Sequence, residues 1–317
     1  MASETDYRTG LFALGIELDD TGLPPVEWRA RVHAAENAGF TFATVGDSLD
    51  PPGPGSGGRL DATVRAGFVA ATTSTLGLVP AIAATYAEPF HLSSQLATLD
   101  YASRGRAGWL AVDDPDAARA WGATPRTTAA ELRRERTDAI EVARRLWDSW
   151  EDDAVIRDYA AGKFLDRDKL HHIDFIGETF SVKGPSIVPR PPQGQIVVFG
   201  YDAESEGLDV ALVRDRADIE TARAAGVPRV LLDLDITLDS PATITDLIAL
   251  LTDLAPIADG VRLRPAALDE DLPVLSRHVL PALLRAGLAH RPVPGSTLRA
   301  NLGLPRPANR YAKEPTR

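Results

Sequence analysis

The chain has 317 residues, 44% of them apolar and 25% charged, with a formal net charge of −11 and no cysteine. That is enough apolar material for one large α/β barrel or two ordinary domains. It excludes disulfides, thiolate metal sites and cysteine nucleophiles, and with no basic stripe it argues against nucleic acid or an anionic membrane as partner. No run of 18 apolar residues occurs, and Met1-Ala2-Ser3-Glu4-Thr5-Asp6 is not a basic-then-apolar leader, so a cytoplasmic protein is expected.

In chain order, Leu11 to Leu18 is apolar and predicts a first strand. Pro24-Pro25 opens a helix and Gly39 stops it. Phe40 to Val45 predicts strand two, and Pro51 to Gly58 is a Pro/Gly loop. A helix over Asp61–Thr72, a strand over Leu76–Ala83, a helix over His91–Ala102 and a strand over Arg106–Val112 follow. Thr128 and Glu131 have capping-box spacing and start a long helix with Ile140, Ala143, Trp147 and Trp150 as its apolar stripe. Residues 151–194 are polar, with two short extended pieces at Ile173–Ile176 and Thr179–Val182, and read as an excursion.

Alternation then resumes. Gln195–Gly200 and Asp209–Val213 read as strands five and six, Val230–Leu234 and Gly260–Leu263 as seven and eight. Helices are predicted over Ile219–Ala225, Ala242–Leu254 and Asp269–Ala286, and the Pro-rich tail from Leu288 is expected along the surface. Strand-helix alternation at this rhythm implies parallel strands and a single α/β barrel domain spanning 1–317.

One interval breaks the rule. Only Tyr201–Leu208 separates strands five and six, whereas a parallel crossover needs about a dozen residues or more. The helix after strand five is therefore missing. The two strands pair as an antiparallel hairpin, or stay parallel but non-adjacent. A distorted barrel with one strand inverted or displaced is the favoured expectation, its uncovered apolar flank closed by a homodimer contact.

Motifs are few. There is no Gly-x-Gly-x-x-Gly after a strand, no P-loop and no Gly-x-Ser-x-Gly elbow. The adjacent His171-His172 point to opposite faces in an extended segment, which disfavours a shared metal. Asp113-Asp114 and Glu151-Asp152-Asp153 read as solvated loops. Position is more informative: a barrel's active site sits at the strand C-termini. Those ends carry Asp47 and Ser48, the run Thr85 to His91, Trp109 to Asp114, and Gly200-Tyr201. His91 is either a general acid or base or a cap of its helix. Glu88 either orients a ligand or closes the turn, and Trp109 either walls a pocket or fills the barrel mouth.

Longer stretches carry a resemblance. Ala84-Thr85-Tyr86-Ala87-Glu88-Pro89-Phe90-His91 resembles the strand-three loop of the bacterial-luciferase-like flavin monooxygenases, in their nitrilotriacetate and sulfone monooxygenase branch. Leu96–Asp100 with Ser103–Trp109, Leu146–Asp153, Gly184–Ser186 with Pro189–Gly194, and Thr297–Tyr311 are similar to the same branch. The resemblance implies a (β/α)8 TIM barrel and a reduced flavin, FMNH2, or F420 as the alternative, bound at the strand C-termini. It implies oxygenation of a small organic substrate with O2, a separate flavin reductase, and a dimer. On it, the flavin lies over Asp47, Ala81, Ala83, Leu110, Gly200 and Ser205, with His91, Glu88 and Trp109 on the substrate side and a strained peptide near Ala83-Ala84.

The departures matter as much. Ala81 stands where the family often has Thr, Leu110 where it has Asn, Asp113-Asp114 where it has a hydroxyl pair, and Glu131–Arg136 where it has His-x-x-Arg-Tyr. Ala203-Glu204-Ser205-Glu206-Gly207 reads as the remnant of a phosphate-binding helix start, and its glutamates repel a phosphate. Such a site contributes on the order of 4–6 kcal/mol, so without it a micromolar flavin site becomes roughly millimolar. Arg214 and Arg216 are the candidate replacements. The alternative function is a degenerate, non-catalytic family member: a partner subunit or small-molecule binder.

Overall fold

Eight of the apolar runs become parallel strands that close on themselves in a computed structural model, which describes residues 12–18, 22–47, 60–201 and 206–312. The barrel strands begin with β1 (Ala13–Glu17), β2 (Phe42–Val45), β3 (Gly77–Ala83) and β4 (Gly108–Val112). The excursion holds two hairpins, β5 (Val155–Asp158) with β6 (Lys163–Leu165), and β7 (Phe175–Ile176) with β8 (Ser181–Val182). The barrel resumes with β9 (Val197–Gly200), β10 (Val210–Val213), β11 (Arg229–Ile236) and β12 (Gly260–Pro265), which pairs back onto β1. The second excursion hairpin lies within the extended pieces expected; the first was not foreseen.

Helices α1 (Pro25–Ala38), α2 (Ala62–Ala70), α3 (Pro89–Ala102), α4 (Ala118–Trp121), α5 (Ala129–Asp148), α6 (Asp218–Ala224), α7 (Pro241–Leu254), α8 (Leu268–Val274) and α9 (Leu280–Arg285) follow the expected order, except that the short α4 was not foreseen. Their ends obey local chemistry. Gly39 terminates α1 at φ 100°, and Thr128 and Glu131 close a reciprocal capping box on α5. The closing helix is not continuous: Pro273 lacks an N–H, and residues Leu275–Val279 form a π-helical turn between α8 and α9. Trp150 lies beyond α5, yet is buried and donates to Ser186 O at 2.8 Å. Among the described residues no helix is long and apolar enough to cross a membrane.

Strands five and six of the barrel correct the expectation. β9 and β10 are adjacent and parallel, neither inverted nor displaced. Barrel stagger supplies the reason. Val210 pairs with Phe199 and Ala211 with Gly200, while Asp209 N bonds Val198 O at 2.9 Å. The connection retraces only two strand positions, about 7 Å, so it needs no helix, and none is found among its described residues. The flank is not left open. Leu208 packs where a Gly200 Cβ would stand, 2.8 Å from its Cδ2. Gly207, at φ 82°, abuts Ile140 of α5, and Arg144 bonds both Gly207 O and the Asp209 carboxylate.

The tail is the second correction. It folds under the barrel, where α10 (Leu298–Asn301) places Leu298, and then Leu302 and Leu304, against lumen residues Val79, Val197 and Phe199. Leu298 sits beside Gly77 and Gly108 at the entry of β3 and β4, where the absent side chains make room for it. Arg299, 3% exposed, bonds Gln195 O and Asp209, and its amide donates to Gln193. An apolar stripe with a buried arginine is no surface tail; its own burial draws it inward.

Candidate active site

Side chains alternate along each barrel strand, and the alternation decides which expected site residues reach the lumen. Ala81 and Leu110 are in the lumen cluster, paired across β3 and β4. Ala83 lies two residues further toward the mouth, opposite Val112. Trp109 points the other way. It is fully buried among residues packed against the helices, and its indole N–H donates to Ile82 O at 3.0 Å, so it walls no pocket. Gly200 is likewise turned toward Leu208 and serves the short crossover.

Asp47 accepts from Ala62 N at 2.7 Å at the start of α2. Glu88 caps α3, its two carboxylate oxygens accepting from Phe90 N and His91 N at 3.1 and 2.6 Å. Its carbonyl closes the turn as well, accepting from Leu92 N at 3.0 Å, so backbone and side chain both serve the helix start. His91 is exposed on the first turn of α3 and is not joined to Glu88 through its ring. Ser48 and Ser205 lie outside the described residues. β3 ends at Ala83 and the chain bends over 84–87, but the Ala83-Ala84 peptide is trans, neither residue has a positive φ, and Ala84 N bonds Val112 O at 2.9 Å, so the expected strained, cis peptide is not found there. The cis bond found is Gly184-Pro185, and positive φ falls at Tyr86 (62°).

The mouth holds a constellation the residue-by-residue reading missed. Arg262 of β12 is 1% exposed and bonds Asp233 of β11 through Nε and Nη2 at 2.7 and 2.9 Å. Its Nη1 reaches Thr44 Oγ1 at 3.4 Å and Glu17 at 3.8 Å. Its Nη2 donates to Tyr201 Oη at 2.7 Å, and its guanidinium lies 5.5 Å from the Tyr201 ring centre. Above it Arg264 contacts Glu17, Asp233 and Asp235 at 3.3, 3.4 and 3.1 Å, and Arg214 stands 4.0 Å from Asp233. Three arginines face three carboxylates, so the set is charge-balanced. Burial alone would depress Arg262, but Asp233, Tyr201 and Glu17 hold it above its ordinary value. Burial, the largest influence on Tyr201, raises its phenol above the usual range. The missed signal was alternation: Asp233 and Asp235, and Arg262 and Arg264, are charges two apart inside apolar strands, where position i and i+2 share the lumen face.

The mouth is thus two-sided, small and apolar on β3 and β4 (Ala81, Ala83, Val112), charged on β1, β11 and β12. Beside it a cavity of about 480 Å³ opens between the end of β4, the first turns of α5 and Tyr201. Arg136 there is ion-paired with Asp113. His171 pairs with Glu151 at 2.8 Å and stacks on Tyr311, while His172 bonds Gly184 O. Both serve the excursion.

With this geometry, the comparisons place the chain. Residues 10–216 match the luciferase-like monooxygenase family model, and the chain belongs to that family. It is 34% identical over 293 residues to one of the subunits of pristinamycin IIA synthase from Streptomyces pristinaespiralis, covering 89% of this chain and 90% of that one. It is 40% identical over 145 residues to N-acetyl-S-(2-succino)cysteine monooxygenase of Bacillus subtilis (strain 168), covering 45% of this chain but 33% of the enzyme. The chain therefore spans about a third of that relative's length. In fold it is similar to long-chain alkane monooxygenase, with a TM-score of 0.81 at 16% identity over 93% of this chain and 95% of that one.

Proposed function

We propose that the chain serves a monooxygenase reaction in which reduced flavin and O2 oxidise a small organic substrate, FMNH2 arriving from a separate reductase. The observation that carries this reading is the two-sided mouth at the strand C-termini, whose apolar side on β3 and β4 lies inside the family-matched residues 10–216. Ala81 and Ala83 suit the face of a planar ring; the charged wall suits its polar edge. The flavin, when bound, supplies the electrons that activate O2. The residues of this chain shield the ring on the β3 side and hold the opposite wall rigid through the Arg262–Asp233 pair.

A second reading has a specific observation behind it. Leu110 is 1% exposed and Arg262 1%, so the lumen below the mouth is already filled. The relative matched over nearly its whole length is named as one subunit of a synthase. On this reading the chain is a non-catalytic companion to a longer luciferase-like chain. Anaerobic fluorescence titration with FMNH2, with FMN and F420 as further arms, decides between them. Binding of the reduced flavin with a Kd of about 100 μM or below supports the first reading. No binding of any of the three at about 100 μM overturns it, since loss of the phosphate anchor leaves millimolar affinity at best.

A further inference from the structure

The excursion carries an arm that stands clear of the barrel. Its root is tied down: Trp150 bridges Leu170, Glu151 N bonds Lys169 O at 3.0 Å, Asp166 N bonds Ala154 O at 2.8 Å, and Ala154 is fully buried. Beyond that root β5 pairs with β6 as a two-stranded sheet, and every residue from 156 to 164 is exposed. A hairpin of this kind is only marginally stable alone in water. Its large side chains are nevertheless apolar: Tyr159 is 91% exposed, Phe164 61% and Ile156 45%. Such a group on a projecting element marks a contact surface.

The surface that fits the arm lies at its own root. A cavity of about 480 Å³ opens there, with Tyr101, Val155 and Val188 in its wall. Asp152 and Arg190, also in the wall, are ion-paired with each other at 2.9 Å. Glu151 gives Oε1 to His171 at 2.8 Å, and among the described residues no donor meets its Oε2. The cavity therefore presents apolar wall for an aromatic ring and a carboxylate oxygen for a phenol proton, the two ends of a tyrosine. Tyr159 cannot reach the cavity of its own chain, because an extended strand carries it roughly 15 Å from the root. Two arms lying antiparallel about a two-fold axis put each tip at the other's root.

Area points to the same occupant. At about 200 Å² for a whole aromatic side chain, Tyr159 and Phe164 present roughly 300 Å² on one arm. A one-sided contact of that size falls well short of the about 800 Å² per partner of a stable interface. Across a two-fold axis each copy gives an arm and receives one, which brings the contact to about 600 Å² per copy before Ile156 and the cavity rim are counted.

We propose that the β5–β6 arm docks on a second copy of this chain, with Tyr159 of each copy seated in the root cavity of the other. Sedimentation velocity on the full chain tests it. Wild type is expected to be dimeric at about 10 μM. Tyr159→Ala is expected to raise the dimer Kd at least about hundredfold, since a buried aromatic anchor is lost twice across the axis. Its circular dichroism should stay that of wild type, because Tyr159 is exposed in the single chain. The chain has no cysteine, so a second measurement locates the seat. Tyr159→Cys protein mixed with Val188→Cys protein and oxidised should yield a disulfide between the two positions, read by mass spectrometry. A wild-type chain that is monomeric at about 100 μM, a dimer that Tyr159→Ala leaves equally tight, or a Tyr159-dependent dimer without that disulfide overturns the proposal.

Discussion

The two ends of the barrel are closed by opposite chemistries. The lower end is sealed by apolar packing: the Phe42 and Phe199 rings lie 5.0 Å apart, and Leu298 and Leu302 rise from the returning C-terminal segment to meet the lumen. The upper end is filled by a balanced lattice of arginines and carboxylates reaching from Thr44 to Arg264. Apolar contacts are non-directional and tolerate many fillings. A buried ion pair does not: it holds donors and acceptors to fixed places, and removing one partner strands the other. The lower end therefore provides stability, and the upper end provides geometry to a site.

The largest disturbance is expected at the mouth. Arg262→Met takes both short bonds from the buried Asp233 and leaves it the longer contacts of Arg264 and Arg214, and should cost at most about 3–5 kcal/mol in urea unfolding. Adding Asp233→Leu should return most of that, since a well-packed apolar pair does without the desolvation of two charges. A single variant as stable as wild type would mean that water reaches the pair. At the other end Leu298→Ala should cost about 3–4 kcal/mol, with no partner substitution able to restore it, because the loss is a cavity. If truncation at Leu298 leaves the unfolding midpoint in place, the tail does not seal the barrel.

The smallest effect sharpens the comparison within the lower end, where Asp100 is fully buried. Asp100 accepts from Ala107 N, Gln193 N and Gln193 Nε2, and burial, outweighing these bonds, pushes its carboxyl up to about 6. The folded form then keeps a proton that the unfolded chain has lost, so stability falls as pH rises from about 4 to about 6 and is level above that. The drop is at most about 3 kcal/mol. Asp100→Asn should flatten unfolding free energy across that window; a slope equal to that of wild type would assign it to another group.

Local chemistry made much of this molecule legible in advance. Pro24-Pro25 and Gly39 bracket α1, Thr128 and Glu131 start α5, and the strand-helix rhythm announces a parallel barrel without tertiary information. The family motifs around Glu88 and Arg104–Trp109 were equally plain. What the eye could not extract from a linear string was relative height. β9 and β10 look too close for parallel neighbours until their stagger shows that Asp209 starts level with Val198. Nor does the string say which alternate residues face inward, so the place of Trp109 stayed open between pocket wall and barrel filling, and Arg262 drew no notice. Segment type follows from propensity, capping and period, which act over a few residues and so are written in the chain. Register, the burial of Leu298 and Arg299, and the meeting of Thr44, Tyr201, Asp233 and Arg262 depend on how distant segments pack, and closure of the barrel alone decided them.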